Sequence, residues 1–215
     1  MKLYYYPPSS YSQKVLVACY EKSIEFEGEL VYFLNRSDRE TYRKIYPIGK
    51  IPYLVLDDGQ GVPESSNIIE FLDTHFDTGP KLIPDDREIS RQVRFRDRMY
   101  DLYLTASVST LIFENWKPEP KRNQKRIEKS LFYITTMYDF MEDFLADQTW
   151  SNGEEFTLGD CAAAAPLFYA RKVAPYDDRP NITAYWQRLE ARPSVHQALD
   201  DAAPFLAALE EIKAP

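Results

Sequence analysis

Residues 49–76 read "GKIPYLVLDDGQGVPESSNIIEFLDTHF" and carry the clearest signals of local structure in the chain. Pro52 stands at the start of an apolar run typical of a strand, a place where its missing N–H is tolerated. The Asp-Gly pair at 58–59 predicts a tight turn into a short return strand. The serines at 65–66 open an amphipathic segment with the features of a capped helix. The stretch therefore predicts a hairpin followed by a helix.

The preceding residues extend this pattern. "KLYYY" (2–6) is strand-like, and apolar residues recur at helical spacing from Ser12. "IEFEGELVYF" (24–33) alternates as a half-buried strand does, and "SDRETYRKI" is a weaker helix with Ser37 or Asp38 as its cap. A strand–helix–strand unit favours parallel pairing, to which the hairpin adds an antiparallel edge.

The rest of the chain is predicted to be helical. "DTGPKLIPDDRE" has the glycine and prolines of a linker. Helical patterns follow in five segments, at 87–116, 125–146, 156–172, 181–192 and 194–212. We therefore expect an α/β domain over 1–80, a linker over 81–86 and an all-α domain over 87–215.

The composition argues against several classes of protein. The 215 residues carry a net charge of −8, which argues against a nucleic-acid binder. Cys19 and Cys161 are far apart in the sequence, as expected of a reduced, cytoplasmic protein. His75 and His196 lack a Cys or His neighbour, so we expect no metal site. No apolar run reaches membrane-spanning length. Because Met1 is followed directly by the strand-like "KLYYY", we expect no secretory leader.

Two groups of residues have the chemistry of a binding site for an amino acid or peptide. A cis bond before Pro52 would expose the backbone of Ile51 to a peptide that pairs like an added strand. Glu64 suits an ammonium group, while the hydroxyl and N–H of Ser65 suit a carboxylate. Helix capping by Ser65 or Ser66 is the structural alternative.

The segment "YPPSSYSQKV" (6–15) crowds three hydroxyls at a helix start. Serines there can cap the helix, or a hydroxyl beside the helix N-terminus can stabilise an anion. Ser9, Ser10 and Ser12 are the candidates, and both interpretations stay open at this point.

Four motifs together resemble the cytosolic glutathione transferases: "SSYSQKV", "GKIP", "ESSNIIEFL" and "FTLGDCAAA". Their order and spacing are more specific than any one of them, and they span essentially the whole chain. The serine-type classes, theta and zeta, are the most similar. The resemblance implies a thioredoxin-like domain with a cis-proline, a C-terminal helical bundle, a cytoplasmic homodimer and a role in detoxification.

The resemblance also implies the ligand, which is glutathione as co-substrate. Glu64 and Ser65 would bind its γ-glutamyl end, and Ile51, held by Pro52, would pair with its cysteinyl part. Lys50 would reach the glycine carboxylate, or else is a solvated lysine. The implied activity is attack of the glutathione thiol on a small hydrophobic electrophile. Glutathione-dependent isomerisation, dehalogenation or peroxide reduction, and a non-catalytic binding or protein-interaction module, are the alternatives.

Alignment with the serine-type classes places Ser9 at the catalytic position, with Ser10 and then Tyr6 as alternatives. Ser12 is expected inside the first helical turn, with a capping role and not a catalytic one. The loop contains no cysteine, which argues against the branch that forms mixed disulfides with glutathione.

The helical half offers further candidates. Those for the second-substrate site are Tyr100, Tyr103, Leu104, Ser107, Leu111 and Trp116, although side chains at helical spacing also fit a core. Arg87, Arg91, Arg94 and Arg98 form a stripe that is either solvated or part of a two-fold interface. Thr157 and Asp160 are expected to form a capping box with a folding role.

Overall fold

The α/β half contains a four-stranded mixed sheet. The computed structural model describes residues 1–33 and 35–213, without the side chains of 211–213. The strand order is β2-β1-β3-β4, with β2 parallel to β1 and with β3 antiparallel to both β1 and β4. The strands are β1 (Lys2–Tyr5), β2 (Glu27–Leu30), β3 (Tyr53–Val55) and β4 (Gly61–Pro63). The predicted parallel unit and antiparallel hairpin are confirmed.

The second strand is shorter than the predicted 24–33. The backbone N–H of Ile24 donates to the carbonyl of Cys19 at 2.9 Å, so this residue closes the preceding helix instead of entering the sheet. Ser23 adopts φ 51° at the same turn. The alternation of apolar and polar residues therefore continues beyond the residues of β2 that pair in the sheet.

Three helices accompany the sheet: α1 (Ser10–Glu21), α2 (Arg36–Tyr42) and α3 (Ser65–His75). The predicted cap of α2 is wrong, because Asn35 and not Ser37 or Asp38 fills that position. The Asn35 side chain accepts from the N–H of Ser37 at 2.9 Å. The helix begins two to three residues earlier than its polar pattern indicated.

The caps of α1 and α3 also differ from the predictions. Ser9 caps α1, whereas Ser12 lies inside the first turn and accepts from the N–H of Tyr6 at 3.3 Å. Glu64 is the N-cap residue of α3 at φ 70° and makes no side-chain cap bond. Ser65 and Ser66 follow it inside the helix, so neither serine is a cap, and both hydroxyls are available for other contacts.

The remainder of the described chain is helical, as predicted. The long segment 87–116 is interrupted by a π-helical turn at Tyr100–Thr105. The helices are α4 (Arg87–Met99), α5 (Ala106–Asn115), α6 (Gln124–Leu145), α7 (Leu158–Val173), α8 (Pro180–Glu190) and α9 (Pro193–Lys213). No helix in this described part is long and apolar enough to cross a membrane. The domain limits at 80 and 86 stay predictions.

A capping box starts α7, as predicted. The backbone N–H of Thr157 donates to the Asp160 carboxylate at 2.8 Å, and the Thr157 hydroxyl oxygen accepts from the backbone N–H of Asp160. Phe156 and Cys161 flank the box and are buried in the main core. Asp160 also accepts from the hydroxyl of Tyr185 at 2.6 Å, so the motif is tied into the helical bundle.

Candidate active site

Three site segments meet at one edge of the sheet because of its register. Tyr4 pairs with Tyr53, and Tyr53 pairs with Pro63. Just outside these pairs lie the serine loop that follows β1 (residues 6–12), Pro52 before β3, and Glu64 after β4. The fold therefore brings together the predicted hydroxyls, the proline turn and the acidic helix start.

The serine loop is held by hydrogen bonds within the chain. The N–H of Ser9 donates to the carbonyl of Tyr6 at 2.8 Å, and the Ser9 hydroxyl oxygen accepts from the N–H of Ser12 at 3.4 Å. The Ser9 O–H thus remains free to donate. Among the described residues, nothing pairs with the backbone N–H groups of Ser10 and Tyr11 or with the Ser10 hydroxyl. These donors give the helix end an attraction for negative charge.

Tyr6, the third candidate, has a different environment. Its ring meets Tyr32 and Phe205 edge-on, with centroids 6.0 and 5.5 Å apart. Burial raises the pKa of Tyr6, with a smaller contribution from Tyr32, so its phenol stays protonated. The aromatic contacts explain this residue by packing.

The peptide bond between Ile51 and Pro52 is cis, as the binding hypothesis required. In the described part of the chain, no group pairs with the backbone N–H or C=O of Ile51. The turn before it is fixed by Tyr42, whose hydroxyl donates to the carbonyl of Lys50 at 2.6 Å. The Lys50 side chain is exposed, so it can reach a ligand.

The start of α3 presents one exposed and one buried polar residue. The Glu64 side chain is exposed, while Ser65 is 6% exposed. Tyr11 and Tyr46 lie close enough for the Glu64 charge to raise the pKa of each phenol, although burial is the larger cause in both. The pKa of Tyr11 reaches about 12, so this hydroxyl is a donor at neutral pH.

A buried ion cluster joins α1, α3 and the helical half. Lys14 is 2% exposed and contacts Asp97, Asp101 at 2.7 Å and the Ser66 hydroxyl at 2.9 Å. Burial alone would lower the pKa of Lys14, but the two carboxylates outweigh it and raise the pKa overall. Because Lys14 lies one turn after Ser10, the cluster sets the distance between the serine loop and the start of α3.

The candidates for the second-substrate site do not share one surface. Tyr100, Leu104, Ser107 and Leu111 are at most 5% exposed and face the helical core, where the Tyr100 hydroxyl bonds with Ser151. Only Tyr103 and Trp116 are accessible, at 38% and 39%. The four buried residues therefore pack in the core and do not line a pocket, because their spacing follows the inner face of the helix.

Sequence reasoning missed several residues that hold the site. Lys14 stands in an otherwise apolar stretch of α1, which was a usable signal of a buried ion pair. Tyr11 and Tyr169 carried no such signal. The Tyr11 hydroxyl donates to the carbonyl of Asp101 at 3.3 Å, and Tyr169 contacts the serine loop from α7. Both contacts depend on how the two halves of the chain pack.

Comparison with known proteins identifies the family. The model of the glutathione S-transferase N-terminal domain matches residues 3–81, and that of the C-terminal domain matches residues 94–193. The chain therefore belongs to the glutathione S-transferase family. Its sheet and helical bundle are the thioredoxin-like and C-terminal domains that the resemblance implied.

The relatives are distant but similar along nearly the whole chain. Glutathione S-transferase hmp2 of Hypomyces subiculosus is 28% identical over 88% of this chain and 93% of its own. The uncharacterised GST-like protein YibF of Escherichia coli is 26% identical over 90% and 96%. The theta or zeta assignment stays a prediction.

Two solved structures have closely similar folds. A Methylobacillus flagellatus glutathione S-transferase with glutathione bound superposes with a TM-score of 0.83 and 28% identity, covering 92% of this chain and 98% of its own. A Methylobacterium radiotolerans glutathione S-transferase in complex with glutathione sulfonate superposes with a TM-score of 0.80 and 29% identity. The match covers 92% of this chain and 93% of its own.

Proposed function

We propose that this protein is a glutathione S-transferase that stabilises the thiolate of bound glutathione and directs it at a small hydrophobic electrophile. One observation carries the proposal: the free O–H of Ser9 and the unpaired N–H groups of α1 lie at the same sheet edge as Ile51 and Glu64. The Methylobacillus flagellatus structure with bound glutathione supports the choice of ligand.

Glutathione would lie across the edge of the sheet. Its ammonium group would pair with Glu64, and its γ-glutamyl carboxylate would accept from the hydroxyl and N–H of Ser65. The cysteinyl backbone would bond with the free N–H and C=O of Ile51. Lys50 is the available cation for the glycine carboxylate. This direction aims the thiol at the start of α1.

The serine site can supply the required stabilisation. A free thiol has a pKa of about 8.5, so only a few per cent is ionised at neutral pH. A shift of about 2 units corresponds to roughly 2.7 kcal/mol, and a hydrogen bond to a charged group contributes about 1.5–3 kcal/mol. The Ser9 oxygen already accepts from the N–H of Ser12, which makes its O–H a better donor to sulfur.

The chemical step needs no protein nucleophile. The thiolate forms a carbon–sulfur bond while the electrophile's leaving group departs with its electron pair, or an addition product gains a proton. Catalysis is then positioning plus stabilisation of the sulfur anion. Tyr103 and Trp116 remain the accessible candidates for contact with the electrophile.

A reduced, cytoplasmic homodimer with a role in detoxification belongs to the same proposal. Cys19 and Cys161 are both free thiols. Phe95 and Leu102, seven positions apart on α4 and the π-helical turn, are large exposed apolar side chains, which supports a partner on that face. Beside them, Arg94 pairs with Glu70 at 2.9 Å. Sedimentation analysis tests the dimer, and a monomer at all concentrations would contradict it.

Two measurements test the proposed function. The protein should be retained on immobilised glutathione, and the ultraviolet absorbance of bound thiolate should titrate well below the pKa of free glutathione. A panel of aryl halides, isothiocyanates and hydroperoxides then identifies the reaction. Retention without turnover of any electrophile would favour a binding module, and no retention would remove glutathione as the ligand.

A further inference from the structure

The serine loop is held from outside by a tyrosine of the helical half. The hydroxyl of Tyr169, on α7, donates to the carbonyl of Pro8 at 2.7 Å. The hydroxyl oxygen of Tyr169 in turn accepts from Nε2 of Gln13 at 3.3 Å. A residue 161 positions away in sequence therefore bonds with the peptide that precedes Ser9.

This contact completes the restraint on the Pro8–Ser9 peptide plane. The N–H of Ser9 donates to the carbonyl of Tyr6 at 2.8 Å, and the opposite side of the plane, the Pro8 carbonyl, accepts from Tyr169. With both ends bonded, the plane cannot rotate freely. Since the side chain of Ser9 extends from this peptide, its rotation would redirect the Ser9 hydroxyl.

The Tyr169 hydroxyl and its partner Gln13 are suited to keep the bond to the Pro8 carbonyl at neutral pH. Burial raises the pKa of Tyr169, and this outweighs the opposing effect of the bond from Gln13, so the phenol stays a donor throughout the neutral range. Gln13 is 2% exposed, and its Oε1 has no partner among the described residues. The amide is therefore held by its bond to Tyr169 alone.

We propose that Tyr169 is a positioning residue for the serine hydroxyl: it fixes the peptide before Ser9, so that the hydroxyl points at the sulfur of glutathione. This inference rests on the proposed function for its chemical consequence. The mechanical part, that Tyr169 orders the loop, stands without any ligand.

The test compares Tyr169→Phe with Tyr138→Phe. The Tyr138 hydroxyl also donates to a backbone carbonyl at 2.7 Å, that of Ala174, but it lies within the helical half. Both variants lose a hydroxyl that donates to a backbone carbonyl, and Tyr169→Phe also loses the bond from Gln13. Two quantities are measured for each variant. The first is the pKa of the bound glutathione thiol, and the second is the rate of amide hydrogen exchange at residues 9–13 in the ligand-free protein.

Tyr169→Phe is expected to raise the pKa of the bound thiol by about 0.5–1 unit, which lowers its ionisation constant about threefold to tenfold. It should speed the exchange of the bonded amides of Ser9, Ser12 and Gln13 about tenfold. The glutathione Kd should change by no more than about threefold at neutral pH, which is the amount that the pKa shift implies. Tyr138→Phe should change none of these. Gln13→Met, which removes the donor to Tyr169, should raise the thiol pKa in the same direction by a smaller amount.

The outcomes separate the two claims. If the wild type lowers the thiol pKa and Tyr169→Phe changes neither that pKa nor the exchange, the positioning role is wrong. If the wild type fails to lower the thiol pKa but Tyr169→Phe still speeds exchange only in the loop, the proposed function is wrong and the ordering role stands. Equal effects of Tyr138→Phe would show general loosening and would overturn the proposal.

Discussion

The hydroxyl of Ser66 donates to the carboxylate of Asp97 at 2.8 Å, which joins the start of α3 to the first long helix of the other half. Lys14 contacts both residues and Asp101 as well. The edge that would bind glutathione is thus built on a buried ion cluster shared by the two halves of the chain. Stability and ligand binding are expected to depend on it together.

Lys14→Met is predicted to destabilise the protein by about 3–5 kcal/mol, because it leaves the carboxylates of Asp97 and Asp101 buried without their cation. Denaturant unfolding measures the loss. Lys44→Met is the control, since Lys44 is exposed and its replacement should change the free energy of unfolding by less than about 0.5 kcal/mol. Equal stability of the two variants would contradict the structural role of the cluster.

Glu64→Gln is predicted to weaken glutathione binding by about tenfold to a hundredfold, because it removes the charge opposite the ligand's ammonium group. Isothermal titration measures the Kd. Glu70→Gln, a change of the same chemistry later in α3, removes only a surface ion pair with Arg94 and should leave the Kd unchanged. If Glu70→Gln weakened binding as much, the assignment of Glu64 would fail.

The sequence was sufficient to predict the α/β and helical halves, because apolar residues recur with different periods in the two. It was also sufficient for the Thr157–Asp160 capping box, because both partners lie within one helical turn. Caps were less predictable. Ser12 and Ser66 have the chemistry of capping residues, yet they point into contacts with Tyr6 and Asp97. Which serine caps depends on where the chain enters the helix.

Most long-range contacts between side chains could not be predicted from the sequence. Nothing in the local pattern distinguishes Tyr169, which reaches the serine loop, from Tyr103, which lies on the surface. Likewise, Tyr100 and Leu104 have the spacing of both a pocket and a core, and only the packing of the neighbouring helices decides for the core. The identities of the site residues stay predictions until a ligand is seen.

The two cysteines are predicted to be inert in the folded protein. Burial raises the pKa of Cys19 to about 12, and burial likewise raises the pKa of Cys161. At pH 8 the thiolate fraction of Cys19 is then on the order of 1 in 10,000. Ellman's reagent should label neither thiol before unfolding and both after it. Rapid labelling of the native protein would contradict the burial of these side chains.

Thr157→Ala is predicted to lower the stability of the fold without changing the pKa of the bound glutathione thiol. Loss of the cap should lower the free energy of unfolding by about 1 kcal/mol. The pKa of bound glutathione thiol should not change, because the box lies in the core of the helical half. A raised thiol pKa in this variant would show that helix capping at α7 reaches the binding edge.

The most direct test of the account is the pKa of bound glutathione thiol in Ser9→Gly and Ser9→Ala. Both lose the hydroxyl, but Gly keeps most of the N-cap stability that Ala loses. Both Ser9 variants are expected to raise the thiol pKa by about 1–2 units, and Ser10→Ala should stay within about 0.3 units of the wild type. An unchanged pKa in both Ser9 variants, or a rise only in Ser10→Ala, would contradict the account.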